Sequence, residues 1–368
     1  MPCGGRGKRN RSMRGGKVHR TMNTITGEKL AELDRRISEA SEVAVSTHAH
    51  PDGDAIGSST ALARYLMGRG KPVRIILPDP CPENLCFALD EGLTRCIADK
   101  KDAAEAALKE CDLLISIDYN SPQRTDALED AVRRFGGFRI LIDHHISPDT
   151  DFYGLVFSEC KVSSSCELLY EILLGMPDID GKAERLGKET GTALMLGMTT
   201  DSNNFANSTY PSTLRMAGEL IAAGVDRDAL LGNLYNRYRE NRFRFMGYFL
   251  SDKMRVMDNG VAYAVMSAAE IHEYGIREGE SEGFVNIPLG IEKVRMSVFV
   301  KEEESHDRLR VSVRSKRGTS ANMFAKRYFN GGGHELAAGG RLAVPSDISG
   351  PEAAAAYIEQ CAREFLGR

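Results

Sequence analysis

The stretch "STHAHPDGDAIGSS" (Ser46 to Ser59) sets His48, His50, Asp52 and Asp54 between an apolar run and a run of small residues. Two chemistries fit that spacing. Pro51, Asp52 and Gly53 are ordinary turn formers, so a solvated turn is one, with Asp54 able to cap the helix that follows. A metal cradle is the other. Three more segments favour the cradle when all four are taken together. "SIDYNSPQR" carries Asp118, "LIDHH" carries Asp143, His144 and His145, and "GMTTD" delivers Asp201. Packing that many acids into one cleft is costly unless cations neutralise them. Histidine with carboxylate suits a divalent transition metal, and a carboxylate-rich set suits Mn²⁺ better than Zn²⁺. Six ligands with one shared aspartate would hold two ions ~3.5–4 Å apart, the spacing of two-metal hydrolases.

The elements around these residues have the right order to bring them together. "EVAVSTH", "PVRIILP", "DLLISIDY" and "FRILIDHH" are short, Leu-rich or β-branched and bounded by turn or charged residues, which predicts buried strands. "AIGSSTALARYLMGRG", "KDAAEAALKE" and "TDALEDAVRRFGG" between them read as helices. Alternating strands and helices predict a mainly parallel, doubly wound α/β sheet, whose ligands sit outside the carboxyl ends of the strands. "SSSCELLYEILLG" opens with a capping box, Ser164 to Glu167, and "GTALMLGMTTD" is a second helical run ending at Asp201. This predicts a first domain over 24–210. The Arg-rich run "LLGNLYNRYRENRFRF" suggests a helical connector over 211–245. A smaller α/β domain over 246–368 follows, with strands in "GVAYAVM", "KVRMSVFV" and "RLRVSVRS", a helix in "SANMFAKRYF" and a turn in "NGGGHELAAGG".

Bulk properties narrow the function classes. The chain has 368 residues, is 42% hydrophobic and 27% charged, and carries a net charge of −4, which fits a globular protein of two domains. No apolar run approaches the roughly 20 residues needed to cross a bilayer, so no membrane partner is expected. An acidic chain does not coat long nucleic acid, so a nucleic-acid substrate would be short or gripped locally. Eight scattered cysteines without C-x-x-C spacing read as free thiols in a reducing cytoplasm. Residues 1–23 are basic and glycine-rich, and read as a disordered or non-native extension with Met22 as an alternative start. A nucleic-acid arm is the competing reading of that segment.

"HAHPDGD", "SIDYNSPQR", "LIDHH" and "GMTTD" resemble, in order, the four motifs of the DHH phosphoesterase superfamily. "SVRS" and "GGGHELAAG" resemble its associated C-terminal domain, and the likeness spans about residues 40 to 345. Within the superfamily it is most similar to the oligoribonuclease/pAp phosphatase subgroup. The resemblance implies that His48, Asp52 and Asp118 bind one metal, that Asp54, His144 and Asp201 bind another, and that Asp118 bridges. Mn²⁺ is the implied ion, with Mg²⁺ or Co²⁺ as alternatives. Asp143 would orient a ligand histidine, His145 would meet the reacting phosphate or its leaving group, and Arg124 would neutralise phosphate charge. Arg314, His334 and the backbone of Gly331, Gly332 and Gly333 would hold the far end of the substrate in a cleft between the domains. His50 stands at a variable position and is left out of the metal set. The implied activity is hydrolysis of short RNA to mononucleotides and dephosphorylation of 3′,5′-bisphosphate nucleotides. A cyclic or linear dinucleotide phosphodiesterase is the alternative, and a non-catalytic nucleotide sensor is a competitor from another class. The resemblance also allows a homodimer. One departure bears on substrate preference: "DSNNFAN" has Asn203 where the family commonly has glycine and Ala206 where it commonly has arginine.

Overall fold

The structure is a computed structural model and describes residues 22–367, so nearly all of the basic N-terminal segment lies outside the described residues. Helix α1 (Gly27–Glu39) leads into β1 (Val43–Ser46), α2 (Gly53–Gly68), β2 (Val73–Leu77) and β3 (Thr94–Cys96). Then come α3 (Ile97–Glu110), β4 (Leu113–Ile117), α4 (Glu129–Arg133), β5 (Phe138–Asp143) and β6 (Leu155–Ser158). The six strands form one parallel sheet in the order β3-β2-β1-β4-β5-β6. The winding direction reverses between β1 and β4, and a crevice opens at their carboxyl ends.

Alternation along each strand explains why the apolar runs are nearly continuous. Val43, Val45, Ile115, Ile117, Ile140 and Ile142 face one core, while Ala44, Ile76 and Leu114 face a second core under α3 and α4. Both faces are covered, as a parallel sheet requires. The first core is closed by α5 (Ser165–Leu174), α6 (Lys188–Asp201), α7 (Pro211–Ala222) and α8 (Arg227–Tyr235). Met216, Leu220, Leu230 and Leu234 recur at helical spacing and are buried in this core. Residues 211–235 therefore belong to the first unit, and the expected connector shrinks to the few residues before α9. The expected helix over "TDALEDAVRRFGG" shortens to α4, because a 3₁₀ turn precedes it and Asp126 breaks the helix at φ 47°. The edge strands β3 and β6 have only three and four residues and gave no sequence signal.

The second unit begins with α9 (Glu240–Tyr248), β7 (Arg255–Val256), β8 (Val261–Met266) and α10 (Ala268–Glu273). It continues through β9 (Met296–Glu302), β10 (Arg308–Ser315), α11 (Ala321–Tyr328), β11 (Gly332–Gly333), β12 (Ala337–Ala343) and α12 (Ala354–Leu366). Its mixed sheet runs β11-β12-β10-β9-β8-β7, parallel only between β8 and β9. Leu309, Val311 and Val313 pack with Phe324 and Ile358 under α11 and α12, while Phe245, Phe249, Phe284 and Phe299 cluster on the other face. The alternate residues of β10 include Arg310 and Arg314. Among the described residues no helix is long and apolar enough to cross a membrane, and Cys81, Cys86, Cys111, Cys160, Cys166 and Cys361 are free thiols.

Candidate metal centre

Each cluster of the first unit leaves the carboxyl end of a strand or a helix that meets it. His48 lies two residues beyond β1, Asp118 immediately follows β4, and Asp143 ends β5 with His144 and His145 behind it. Asp201 is the last residue of α6. Helices α2 and α6 approach closely because glycines line their contact. A Cβ on Gly57 would fall 2.5 Å from the Ala193 carbonyl oxygen, and one on Gly53 would strike Thr200. That crossing carries Asp54 and Asp201 to the same crevice.

Asp118 sits at the middle. Its backbone is in the left-handed region, φ 65°, with its N–H donated to the Ile142 carbonyl at 3.0 Å. Oδ2 lies 3.4 Å from His48 Nε2, and Oδ1 lies 3.5 Å from His144 Nε2. Two donor sets converge on it: His48, Asp52 and Asp118, and Asp54, Asp118 and His144, with donor atoms in each within 4.8 Å of one another. Asp201 joins the second set, its Oδ2 3.4 Å from His144 Nε2. Asp118 is thus the residue common to the two donor sets.

Local bonds hold these ligands in place. His48 Nδ1–H donates to the Ala49 carbonyl at 2.8 Å, which turns Nε2 toward Asp118. Asp52, rather than Asp54, caps α2, its Oδ1 accepting from the N–H groups of Asp54 and Ala55. Asp54 instead points away from its own helix to the start of α5. There it accepts from Ser165 N–H at 2.6 Å and Cys166 N–H at 2.9 Å. Ser164 does cap α5, but Glu167 turns to Ser163 and Thr213, so the expected capping box is only half formed. Asp143 accepts His145 Nδ1–H at 2.7 Å and His145 N–H at 3.1 Å. It therefore orients His145, not a metal-ligating histidine as expected.

The chemistry of the donor set tests whether cations belong here. Burial raises the pKa of Asp54 well above the usual range, and the charges of Asp118, Asp201 and Asp52 raise it further. Asp201 is raised likewise by burial and by Asp52 and Asp118. Burial alone would lower the pKa of His48, yet hydrogen bonding to Asp118 and Asp52 carries it up to about 10. Carboxylates that repel one another in a buried cleft while an adjacent imidazole clings to its proton are a site in need of positive charge. The chemistry of these buried carboxylates and imidazoles fits a divalent cation.

The second unit brings His334 to the same place. Its ring stacks on His145, with centroids 4.6 Å apart and planes 15° apart, and lies 4.8 Å from His144. Burial, followed by the neighbouring His144 and His145, lowers its pKa to about 3, so the ring is neutral. Arg314 faces the centre too. Burial lowers its pKa, opposed by the charges of Asp201 and Asp52, and Nη1 donates to the Val313 carbonyl at 3.0 Å. Arg124 stands exposed on the rim, and its charge is felt by His334. Gly331 gives its N–H to the Ala325 carbonyl, so it has no donor left for a substrate phosphate. Gly332 and Gly333 pair with Gly339 and Ala338 on β12. The run of glycines is explained by the close approach of β12, and it places His334.

Some contacts had no signal in the sequence. Ser165 Oγ donates to Asp118 Oδ1 at 2.9 Å. Arg341 of the second unit crosses the cleft to Asp126 at 3.0 Å and to His50 Nε2 at 2.9 Å. Arg277 reaches Glu83 at 2.5 Å. Asn203, Asn204 and Phe205 after Asp201 all have positive φ, so Asn203 takes the conformation for which glycine is commonly used.

Comparison with known proteins agrees with this construction. The sequence profile "DHH family, N-terminal domain" matches residues 42–198, and that of the "DHHA1 domain" matches residues 258–364. The chain is 30% identical to the bifunctional oligoribonuclease and PAP phosphatase NrnA of Bacillus subtilis, over 84% of this chain and 92% of that protein. It is 32% identical to the NrnA of Thermus thermophilus, over 81% and 83% of the two chains. An exopolyphosphatase-related protein from Bacteroides fragilis has a crystal structure that superposes with a TM-score of 0.84 at 31% identity, over 94% and 98% of the chains. A shared-aspartate donor set at the winding reversal of a parallel sheet, closed by a histidine from a DHHA1 unit, thus has relatives along most of its length. The chain belongs to the DHH phosphoesterase family, among its NrnA-like members.

Proposed function

We propose that this protein hydrolyses short oligoribonucleotides to mononucleotides and removes phosphate from 3′,5′-bisphosphate nucleotides such as pAp, with two divalent cations, Mn²⁺ by preference. The observation that carries this reading is His334 stacked on His145 directly over His144, so that a substrate phosphate in the crevice touches both units. The names of the NrnA relatives support the same substrate class.

His48, Asp52 and Asp118 would hold one cation, and Asp54, Asp118, His144 and Asp201 the other. Bound there, the cations would neutralise phosphate charge and lower the pKa of an attacking water. Asp143 fixes the tautomer of His145 by taking its Nδ1–H, so that Nε2 can serve the phosphate or its leaving oxygen. The Arg124 guanidinium, which has no hydrogen bond or ion pair among the described residues, is free to swing onto a non-bridging oxygen. Arg314 and the neutral His334 would grip the substrate from the side of the second unit and set its length. A cleft bounded by two units suits a short substrate, and the acidic chain disfavours a long one.

Product release is to be measured with Mn²⁺ on pAp, two- to five-nucleotide RNA, longer RNA, cyclic di-AMP and pyrophosphate. Asp118→Ala serves as the inactive control. The proposal requires turnover of pAp and the shortest RNAs to exceed the others. Preference for the cyclic dinucleotide would replace it with a cyclic-dinucleotide phosphodiesterase, and tight binding without turnover would mark a sensor.

A further inference from the structure

Ser165 lies wholly buried at the first position of α5, where it touches both donor sets. Ser164 caps the helix by accepting from Glu167 N–H at 3.0 Å, which leaves the N–H groups of Ser165 and Cys166 without helical partners. Those two N–H groups take the two oxygens of Asp54, so the helix start fixes that carboxylate through main chain alone. The hydroxyl of Ser165 is left over, and it donates to Asp118 Oδ1 at 2.9 Å.

The orientation of Asp118 is otherwise under-determined. Its backbone is pinned by the bond to Ile142 and by the left-handed conformation, but its carboxylate could still rotate. The surrounding imidazoles are longer contacts, with His144 Nε2 at 3.5 Å and His145 Nδ1 at 4.0 Å from Oδ1, and His48 Nε2 at 3.4 Å from Oδ2. Among the described residues only Ser165 makes a hydrogen bond of ordinary length to either oxygen of that carboxylate, and it does so on the His144 side. A donor there polarises Oδ1 and holds it on the side of His144.

We propose that Ser165 is a positioning residue of the metal centre, whose hydroxyl assigns one oxygen of Asp118 to each donor set. This rests on the two-cation reading above and adds to it a residue that touches no cation. Partners of this kind typically govern metal affinity by 10–100-fold. Because the hydroxyl meets only Oδ1, the loss falls on the set containing Asp54, His144 and Asp201, and the set containing His48 and Asp52 is spared.

The test is Mn²⁺ titration of metal-stripped full-length protein, followed by the spectrum of the free ion and by calorimetry. Wild type should take up two ions. Ser165→Ala should bind one as before and the other roughly 10–100-fold more weakly. Ser163→Ala is the control, since Ser163 is equally buried two residues earlier and bonds only Glu167. It should bind both ions like wild type, with thermal unfolding of the metal-free variants confirming that each is folded. Adding Ser165→Ala to a His144→Ala background should leave the remaining ion's affinity unchanged. Wild-type affinities in Ser165→Ala, equal weakening of both ions, or the same loss in Ser163→Ala would each overturn the role. Wild type that binds fewer than two ions would overturn the two-cation centre itself.

Discussion

Closure of the second unit over the metal centre is held by ion pairs whose worth can be bounded from their exposure. Arg341 meets Asp126 with side chains 36% and 52% exposed, and Arg277 meets Glu83 at 54% and 66%. Pairs this wet are worth ~0.2–1 kcal/mol each. Removing both, as in Arg341→Ala with Arg277→Ala, also removes the Arg341 hydrogen bond to His50, and should cost ~0.9–3.5 kcal/mol of closure, a factor of about 5–400 in the closed-to-open ratio. Parting of the units would take His334 off His145, so kcat/KM on pAp should fall within the same factor wherever an open form is well populated. The difference between variant and wild type should shrink as salt rises, because these charges are screened over a Debye length of about 8 Å at 0.15 M. Small-angle scattering should show a larger radius of gyration for the double variant at low salt. Arg244→Ala removes an ion pair of similar exposure that lies wholly within α9, and should change neither quantity. A double variant with wild-type scattering and wild-type salt dependence would refute the reasoning. So would a loss in kcat/KM well beyond the bound with closure intact, which would place Arg341 or Arg277 on the substrate.

Arg314→Ala or His334→Ala should lower kcat/KM on pAp and dinucleotides by roughly 10- to 150-fold, the worth of one charge-assisted phosphate contact. A generic phosphodiester that reaches only the metals should be hydrolysed almost as before, and an equal loss on it would assign these residues to catalysis or folding. Gly197→Ala should destabilise the protein by ~1–3 kcal/mol in thermal unfolding, because a Cβ there would fall 2.5 Å from Asp54 Oδ1 and press on Cys166 Sγ. An unchanged melting temperature would mean that α2 and α6 part more easily than their contact implies. The metal-free protein should lose stability as pH rises from about 6.5 toward 9. His48 binds its proton more tightly folded (up to about 10) than unfolded (6.5), so its contribution is complete below 6.5 and fades as pH climbs toward the folded value. The lowered groups His144 and His334 oppose this near 6.5, where only the unfolded chain still gives up their protons, so the fall is clearest above pH ~7.5. Mn²⁺ should reverse the trend, since its ligands bind best deprotonated, and metal-free melting that is flat or rising over this range would contradict it.

The cluster of donor residues was legible because the fold and the chemistry use the same punctuation. A buried strand must end, and in a parallel sheet the residues just past its carboxyl end share one edge. An Asp or His there can therefore be placed without knowing any contact. His48, Asp118 and His144 follow that logic, whereas Asp201 is brought to the same edge by the end of α6. The partners that orient them do not. Ser165 is one of three consecutive serines before a helix, and its neighbour Ser164 accounts for the serines' presence as a cap. Arg341 and His50 are 291 residues apart, and neither position announces the other. Strand β12, "AAGGRLA", lacks the β-branched residues that mark a strand, so its pairing with β10 was invisible.

The glycines before His334 show how the same residues can mislead about cause while pointing to the right place. Three glycines beside a histidine read as a backbone cradle for phosphate, yet a Cβ on Gly331 would collide with the Gly339 carbonyl and one on Gly333 would fall 2.7 Å from the Ala337 carbonyl oxygen. Small residues are needed there so that β11 can lie against β12, and Gly333 adopts φ 142°, which a side chain would resist. That tight return is what carries His334 out of its own sheet and onto His145. The requirement on backbone packing in the second unit and the requirement on chemistry in the first are therefore met by one turn. A bulkier residue at Gly331 or Gly333 should displace His334 and weaken short-substrate turnover while leaving metal uptake by the first unit intact.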